Sequence, residues 1–187
     1  MHLERRTHSF SPLAGWNEDM EAIVKSFQID TSLVVEILRT VELNDLIFVL
    51  NNSITLRKMK PNFKEMAIIL EKLDIRNLCA TALGDQDKFD FETRIFIPHD
   101  NLNEDLACGS SSLAIASYWN KKIDKDNFTV LFPYHMEHPD GKIGGVQFIK
   151  ILDDRTMVGG YCDSISQDSK TVNYTVQHSL LYSNLAN

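Results

Sequence analysis

Between Glu104 and Ser112 the chain reads Glu-Asp-Leu-Ala-Cys-Gly-Ser-Ser-Ser, its densest run of groups able to do chemistry. The run leads into SSLAIASYW, an apolar stretch at helical spacing, so these groups belong to a helix N-terminus. Such a terminus exposes unpaired N–H groups and about half a positive charge, which together hold a carboxylate or phosphate without a basic side chain. Gly109 admits a ligand close to the backbone, and Ser110, Ser111 and Ser112 add hydroxyls. Cys108 stands just before the positive end, where reactive cysteines occur, and Asp105 is near enough in sequence to face the same pocket. The competing reading is plain capping, for which Asp, Ser and Gly are ordinary choices, but a cap needs one polar residue and this segment supplies many. A second grouping, His135-Met-Glu-His138, offers two imidazoles and a carboxylate, yet Pro133 and Pro139 flank it and oppose the helical alignment a metal site would use. No metal and no cofactor is expected.

The elements that position the first cluster follow from periodicity. In the helix from Ser110 to Ile123, residues Leu113, Ala114, Ile115, Ala116, Tyr118 and Trp119 cover almost every direction around the axis. A helix apolar all round has to be enclosed. With many strands and few helices in the chain, the expected enclosure is a sheet curled around that helix. Lys121 and Lys122 sit at its negative end. A helix is expected over 18–27, capped by Asn17, and another over 62–73 directly after Pro61. Strands are expected in 32–38 (where a short helix competes), 45–52, 54–61, 78–84 and 91–98, and among the four closing segments 128–134, 145–151, 155–161 and 171–177. HDNLNED, residues 99–105, reads as a loop. Helices interrupt strands irregularly, which gives an α+β fold with a mixed sheet.

Composition narrows the function classes. At 187 residues, 43% hydrophobic and 24% charged, the chain suits one globular domain or slightly more. The net charge is −7 and the basic residues are scattered, which opposes a nucleic-acid partner. No apolar run approaches the roughly 18–20 residues of a membrane span. Three widely spaced cysteines, Cys79, Cys108 and Cys162, and an N-terminus without an apolar leader suggest a reducing, cytoplasmic setting. Cys79 reads as a small buried hydrophobe; Cys162 has no supporting context. Arg94 reads either as a solvated strand position or as a structural ion pair. The glycine pairs 144–145 and 159–160 read as bulges or close packing rather than phosphate binding.

The run RIFIPHDNLNEDLACGSSSLAIASYW resembles the PhzF family, phenazine-biosynthesis-like isomerases with the diaminopimelate epimerase-like fold. The family's stretch reads R-x-F-x-P, a short loop, E-D-P-x-T-G-S-A, then an apolar helix ending in Tyr-Trp. NDLIFVLNNSITLRKMKP upstream, and GKIGGVQFIKI and MVGGY downstream, extend the likeness from Leu43 to Tyr161 and more faintly back to Ser11. The resemblance implies a fold of two lobes, each a sheet curled into a barrel-like layer around a central helix, with the active site between the two helix N-termini. It implies that residues 17–187 form the C-terminal lobe and residues 1–16 a remnant of the first. Asp105 and Ser110 match the family's substrate-contacting Asp and Ser, and Gly109 its helix-entry glycine. The reaction implied is a cofactor-independent proton shift on a small carboxylate, with Asp105 and Cys108 as catalytic candidates and Gly109, Ser110 and Ser111 as binding candidates.

This chain departs from the family pattern in three ways. The glutamate, Gly-Asn-Pro and Gly-His-Ala-Thr elements of the opposite lobe do not occur; Leu106 and Cys108 replace Pro and Thr, the cysteine being closer to thiol-using racemases of the same fold; and Ile143-Gly144-Gly145 replaces Arg-Gly-Gly. The expectation is therefore an isomerase lobe incomplete on its own, finished by a complementary lobe or a second copy. The alternative is a non-catalytic ligand-binding or scaffold remnant of such an enzyme.

Overall fold

The computed structural model describes residues 9–12, 17–85, 87–98, 102–105, 107–133, 145–153, 155–160 and 183–184. Its elements in chain order are β1 (Phe10–Pro12), α1 (Glu18–Ser26), β2 (Val34–Thr40), β3 (Leu46–Leu50), α2 (Ser53–Lys58), α3 (Phe63–Leu73), β4 (Leu78–Leu83), β5 (Phe91–Ile97), β6 (Leu102–Asp105), α4 (Gly109–Ile123), β7 (Asn127–Phe132), β8 (Gly145–Ile151), β9 (Thr156–Gly160) and β10 (Ser183–Asn184). The expected α+β class is present, with four α-helices among the described residues. The strands form one mixed sheet in the order β1-β2-β3-β4-β5-β7-β8-β9-β10. Parallel pairing joins β3 to β4 and β5 to β7, and the other pairs are antiparallel. The sheet does not close into a barrel: β1 and β10 are its two free ends in this path. The helix is therefore enclosed without closure of the sheet.

Two apolar cores lie on opposite faces of the sheet. One is built around α4, where every residue from Ser111 to Trp119 is buried against Ile47, Val49, Phe91, Ile95, Phe128, Val130 and their neighbours. The other packs α1, α2 and α3 against the reverse face through Leu46, Phe48, Leu50, Leu78, Ala80 and Phe96. Alternate residues of β3 thus enter different cores, which is why LIFVL is apolar at every position. Strand β7, between β5 and β8, alternates between buried and more exposed residues.

The enclosure expected for α4 is met, and Asn17 caps α1 by accepting from the Met20 amide at 3.0 Å. Two expectations are corrected, and one alternative is decided. Residues 53–58 form a helix, not a strand: Asn52 accepts from the Thr55 amide at 2.7 Å and starts a turn before β-pairing can begin. Residues 102–105 form β6, not a loop, because the far end of β5 still needs a ladder partner after β7 has taken its beginning. The segment 32–38 begins as a short 3-10 turn and then continues as β2 to Thr40. The expected strand 171–177, His135, His138, Cys162 and Ile143-Gly144 lie outside the described residues. Among the described residues no helix is long and apolar enough to cross a membrane.

Trp119 is buried, stacks on Phe91 and donates from Nε1 to Thr81 Oγ1 at 3.0 Å. Trp119→Ala should lower the unfolding free energy by about 3–5 kcal/mol. Ile68→Ala, at a side chain 68% exposed, should change it by less than about 0.5 kcal/mol. Urea denaturation of both variants checks the contrast.

Candidate functional site

The N-terminus of α4 meets the leading ends of the parallel strands β3 and β4. Three of the described helices, α1, α2 and α3, are capped by asparagine side chains, Asn17, Asn52 and Asn62. Cys108 occupies the same position before α4 and makes no side-chain cap bond. The first turn of α4 instead faces a polar cluster drawn from elsewhere in the chain.

That cluster is built on Asp45 and on Arg76-Asn77, the residues that immediately precede β3 and β4. Asp45 is fully buried, and its carboxylate accepts from Arg76 Nε at 2.8 Å and from Arg76 Nη2 at 2.7 Å. Two loops hold the pair in register. The Arg76 amide donates to Asn44 O at 3.1 Å, Arg76 Nε also reaches Leu43 O at 3.1 Å, and the Leu46 amide donates to Asn77 O at 2.9 Å. Asn44 and Asp74 both carry positive φ, at 59° and 52°, and Asn44 Nδ2 donates to the Asp74 carbonyl. Asn and Asp accept this left-handed backbone better than most residues, which suits them to a tight pair of turns.

Four of the five residues expected at the site fall around this cluster. Ser111 is completely buried: its hydroxyl donates to Asp45 Oδ2 at 2.8 Å and accepts from Asn77 Nδ2 at 2.9 Å and Arg76 Nη2 at 3.3 Å. The Ser111 hydroxyl is thus fully engaged within the cluster. Ser110 is half-buried and accepts from Arg76 Nη1 at 3.1 Å. Cys108 Sγ lies 3.5 Å from Ser111 Oγ and 3.7 Å from Ser110 Oγ, and Gly109 opens the helix. Asp105 stands at the end of β6 with its carboxylate accepting from the Ala107 amide at 3.0 Å, and no hydrogen bond to Cys108, Ser110 or Ser111 is found for it. Ser112 turns away, donating to Gln147 Oε1 on β8 at 2.7 Å, while Gln147 Nε2 donates to Ala107 O at 2.7 Å and pins the entry loop. Cys79, beneath the cluster, is fully buried; burial pushes its thiol well up, the charge of Asp45 adds to this, and it stays neutral as a core group.

Arg94 settles into the second of its two readings. Its guanidinium is 2% exposed and holds Glu104 through Nε and Nη2, each at 2.7 Å. Nη1 donates to the carbonyls of Leu56 and Met59, at 3.2 and 2.8 Å, where α2 ends. One residue beyond Glu104 is Asp105, so this pair fixes the end of β6 from which Asp105 projects. Asp45, Arg76, Asn77 and Gln147 were not anticipated from the sequence. The available signal was charge of opposite sign just ahead of two mainly apolar runs, at Asp45 before Leu46–Leu50 and at Arg76-Asn77 before Leu78–Leu83.

The geometry invites comparison with known proteins. The family model described as phenazine biosynthesis-like protein, PhzC-PhzF, matches residues 5–144. The chain belongs to this family. Among its curated relatives, an uncharacterized isomerase of Halalkalibacterium halodurans is 30% identical over 105 residues, covering 56% of this chain and 36% of the relative. An uncharacterized isomerase of Pseudomonas aeruginosa is 31% identical over 90 residues, covering 48% and 31%. This PhzF-family chain therefore spans about a third of the length of those relatives. A PhzF-family protein of Enterococcus faecalis has a similar fold, with TM-score 0.60 and 24% identity over 84% of this chain and 55% of the other. A PhzC/PhzF protein of Clostridium difficile gives 0.58 and 21% over 81% and 51%. The PhzF-family motif residues Arg94, Phe96 and Glu104 now have physical roles: an ion pair in the sheet and, at Phe96, a buried ring against Phe27 and Phe63.

Arg94→Met should destabilise the fold by about 3–5 kcal/mol, since it strands a buried carboxylate. Glu104→Gln, which keeps an accepting oxygen, should cost less. Lys72→Met, which removes a surface pair to Asp19, should cost under about 1 kcal/mol. Urea melts rank the three, and a ranking with Lys72→Met first would contradict the role given to Arg94.

Proposed function

We propose that this chain forms one face of a PhzF-type isomerase site, which moves a proton on a small carboxylate without a cofactor. The observation that carries the reading is the uncapped first turn of α4 beside the half-exposed Arg76, with Asp105 and Cys108 flanking its entrance. In this reading the substrate carboxylate sits on the Gly109 and Ser110 amides, where the helix dipole and N–H groups stabilise negative charge. Ser111 holds the wall through Asp45. Asp105 exchanges a proton with the substrate, and the Cys108 thiol stands where a second proton-carrying group would work. Moving a proton between two positions needs an acid and a base in suitable protonation states, and the described socket offers one carboxylate and one thiol at its mouth. A second face, from a complementary lobe or a second copy, completes the site.

The membership of the family and the isomerase names of two relatives support the reaction class. The alternative, a non-catalytic module that binds a carboxylate, differs in outcome rather than in geometry. Incubating the chain in D2O with small amino and hydroxy acids, with NMR detection of the α-proton and light scattering for mass, separates them. Exchange by an assembled species, reduced about 10²–10⁴-fold in Asp105→Asn, is the expected result. A monomer that binds carboxylates without exchange leaves the binding module, and a chain that does neither refutes the isomerase reading.

A further inference from the structure

We propose that Arg76 determines the ligand class of this site, gripping a carboxylate jointly with the Ser110 hydroxyl; this rests on the α4 N-terminus being the substrate face. The Asp45–Arg76 pair is lopsided. The Asp45 side chain is 0% exposed and the Arg76 side chain 38% exposed, so the negative member points into the protein and the positive member outward. Seen from the mouth, the pair is a cation, and it adds to the positive end of α4.

The donors of Arg76 can be followed one by one. Nε serves Asp45 Oδ1 and Leu43 O, Nη2 serves Asp45 Oδ2 and Ser111 Oγ, and Nη1 serves Ser110 Oγ. A guanidinium has five N–H groups, two of them on Nη1. The second Nη1–H has no partner among the described residues. Ser110 Oγ accepts from Nη1 at 3.1 Å, so its own proton is turned away from Arg76; its other neighbour is Cys108 Sγ at 3.7 Å. The second Nη1–H and the Ser110 O–H, whose present acceptor can be only the weak Cys108 sulfur, thus stand side by side as two donors for a stronger acceptor. A carboxylate offers an oxygen to each. An ammonium meets donors and a positive field, and a neutral amide forgoes the charge assistance. Because Asp45 and Leu43 already hold the guanidinium, little side-chain freedom is lost on binding. Arg76 itself comes from the turn between α3 and β4.

The test is an NMR titration of the ¹⁵N-labelled full chain with propionate and with propionamide, reading the Gly109 and Ser110 amides. Propionate should shift them saturably, and propionamide should bind at least about tenfold more weakly. The double variant Asp45→Asn/Arg76→Gln strands no buried charge and should lose about ten- to a hundredfold in propionate affinity. Asp45→Asn alone should lower the melting temperature yet keep or tighten propionate binding, because it removes only the counter-ion. A purely structural Arg76 would make stability and binding fall together. Should the double variant fail to fold, Arg76→Lys decides: it should bind more weakly than wild type while still preferring propionate to propionamide. No response of the wild-type Gly109 and Ser110 amides to propionate overturns the site reading and this inference with it. A wild-type response that the double variant retains in full, an equal response to both probes, or a loss of binding in Asp45→Asn overturns the role of Arg76 alone.

Discussion

Burial of α4 is the constraint on which the rest of this structure depends. Nine consecutive residues, from Ser111 to Trp119, are removed from water, which leaves the helix no solvent-facing side along that stretch. Residues of the sheet from β2 to β9 surround it. The reverse face of that sheet then requires cover of its own, which α1, α2 and α3 supply. The central strands are consequently apolar on both faces, and the fold is three layers deep at its middle.

An enclosed helix also fixes where its polar N-terminus emerges. The first turn of α4 surfaces beside the start of β3 and β4, and the chain has placed Asp45, Arg76 and Asn77 there. Removing Asp45 from water is tolerable because both carboxylate oxygens are engaged, by Arg76 and by Ser111. A similar arrangement recurs at Arg94 and Glu104, where a buried pair ties β5 to β6 and to the end of α2. Arg57 and Glu92 form a third pair, with the carboxylate buried and the arginine half-exposed. The positive member of two of these pairs reaches solvent, but only Arg76 does so beside the uncapped helix end.

This division of labour separates stability from chemistry. The pair at Arg94 lies within the sheet and sets the direction of β6, hence the place of Asp105. Gln147 on β8 fastens the turn between Asp105 and α4 from the other side. Between these supports lies the start of α4, where Cys108 makes no side-chain cap bond. A frame of this kind would suit the anion site proposed above, since preorganised donors need rigid support.

The sequence by itself determined the α4 enclosure, the mixed α+β class, most strands and the run of small polar residues that opens α4, because local periodicity and polar residues before an apolar helix are visible in one dimension. The E-D-x-A-x-G-S core with its upstream R-x-F-x-P carried the family resemblance. Tertiary structure alone decided the rest. Residues 53–58 became a helix through a cap at Asn52, and 102–105 became a strand because β5 had a free edge. Asp45 and Arg76 are 31 residues apart and join only because β3 and β4 pair in parallel. Spacing along the chain could not reveal that an arginine after the third helix would stand at the mouth of the fourth, since that proximity is a property of the sheet.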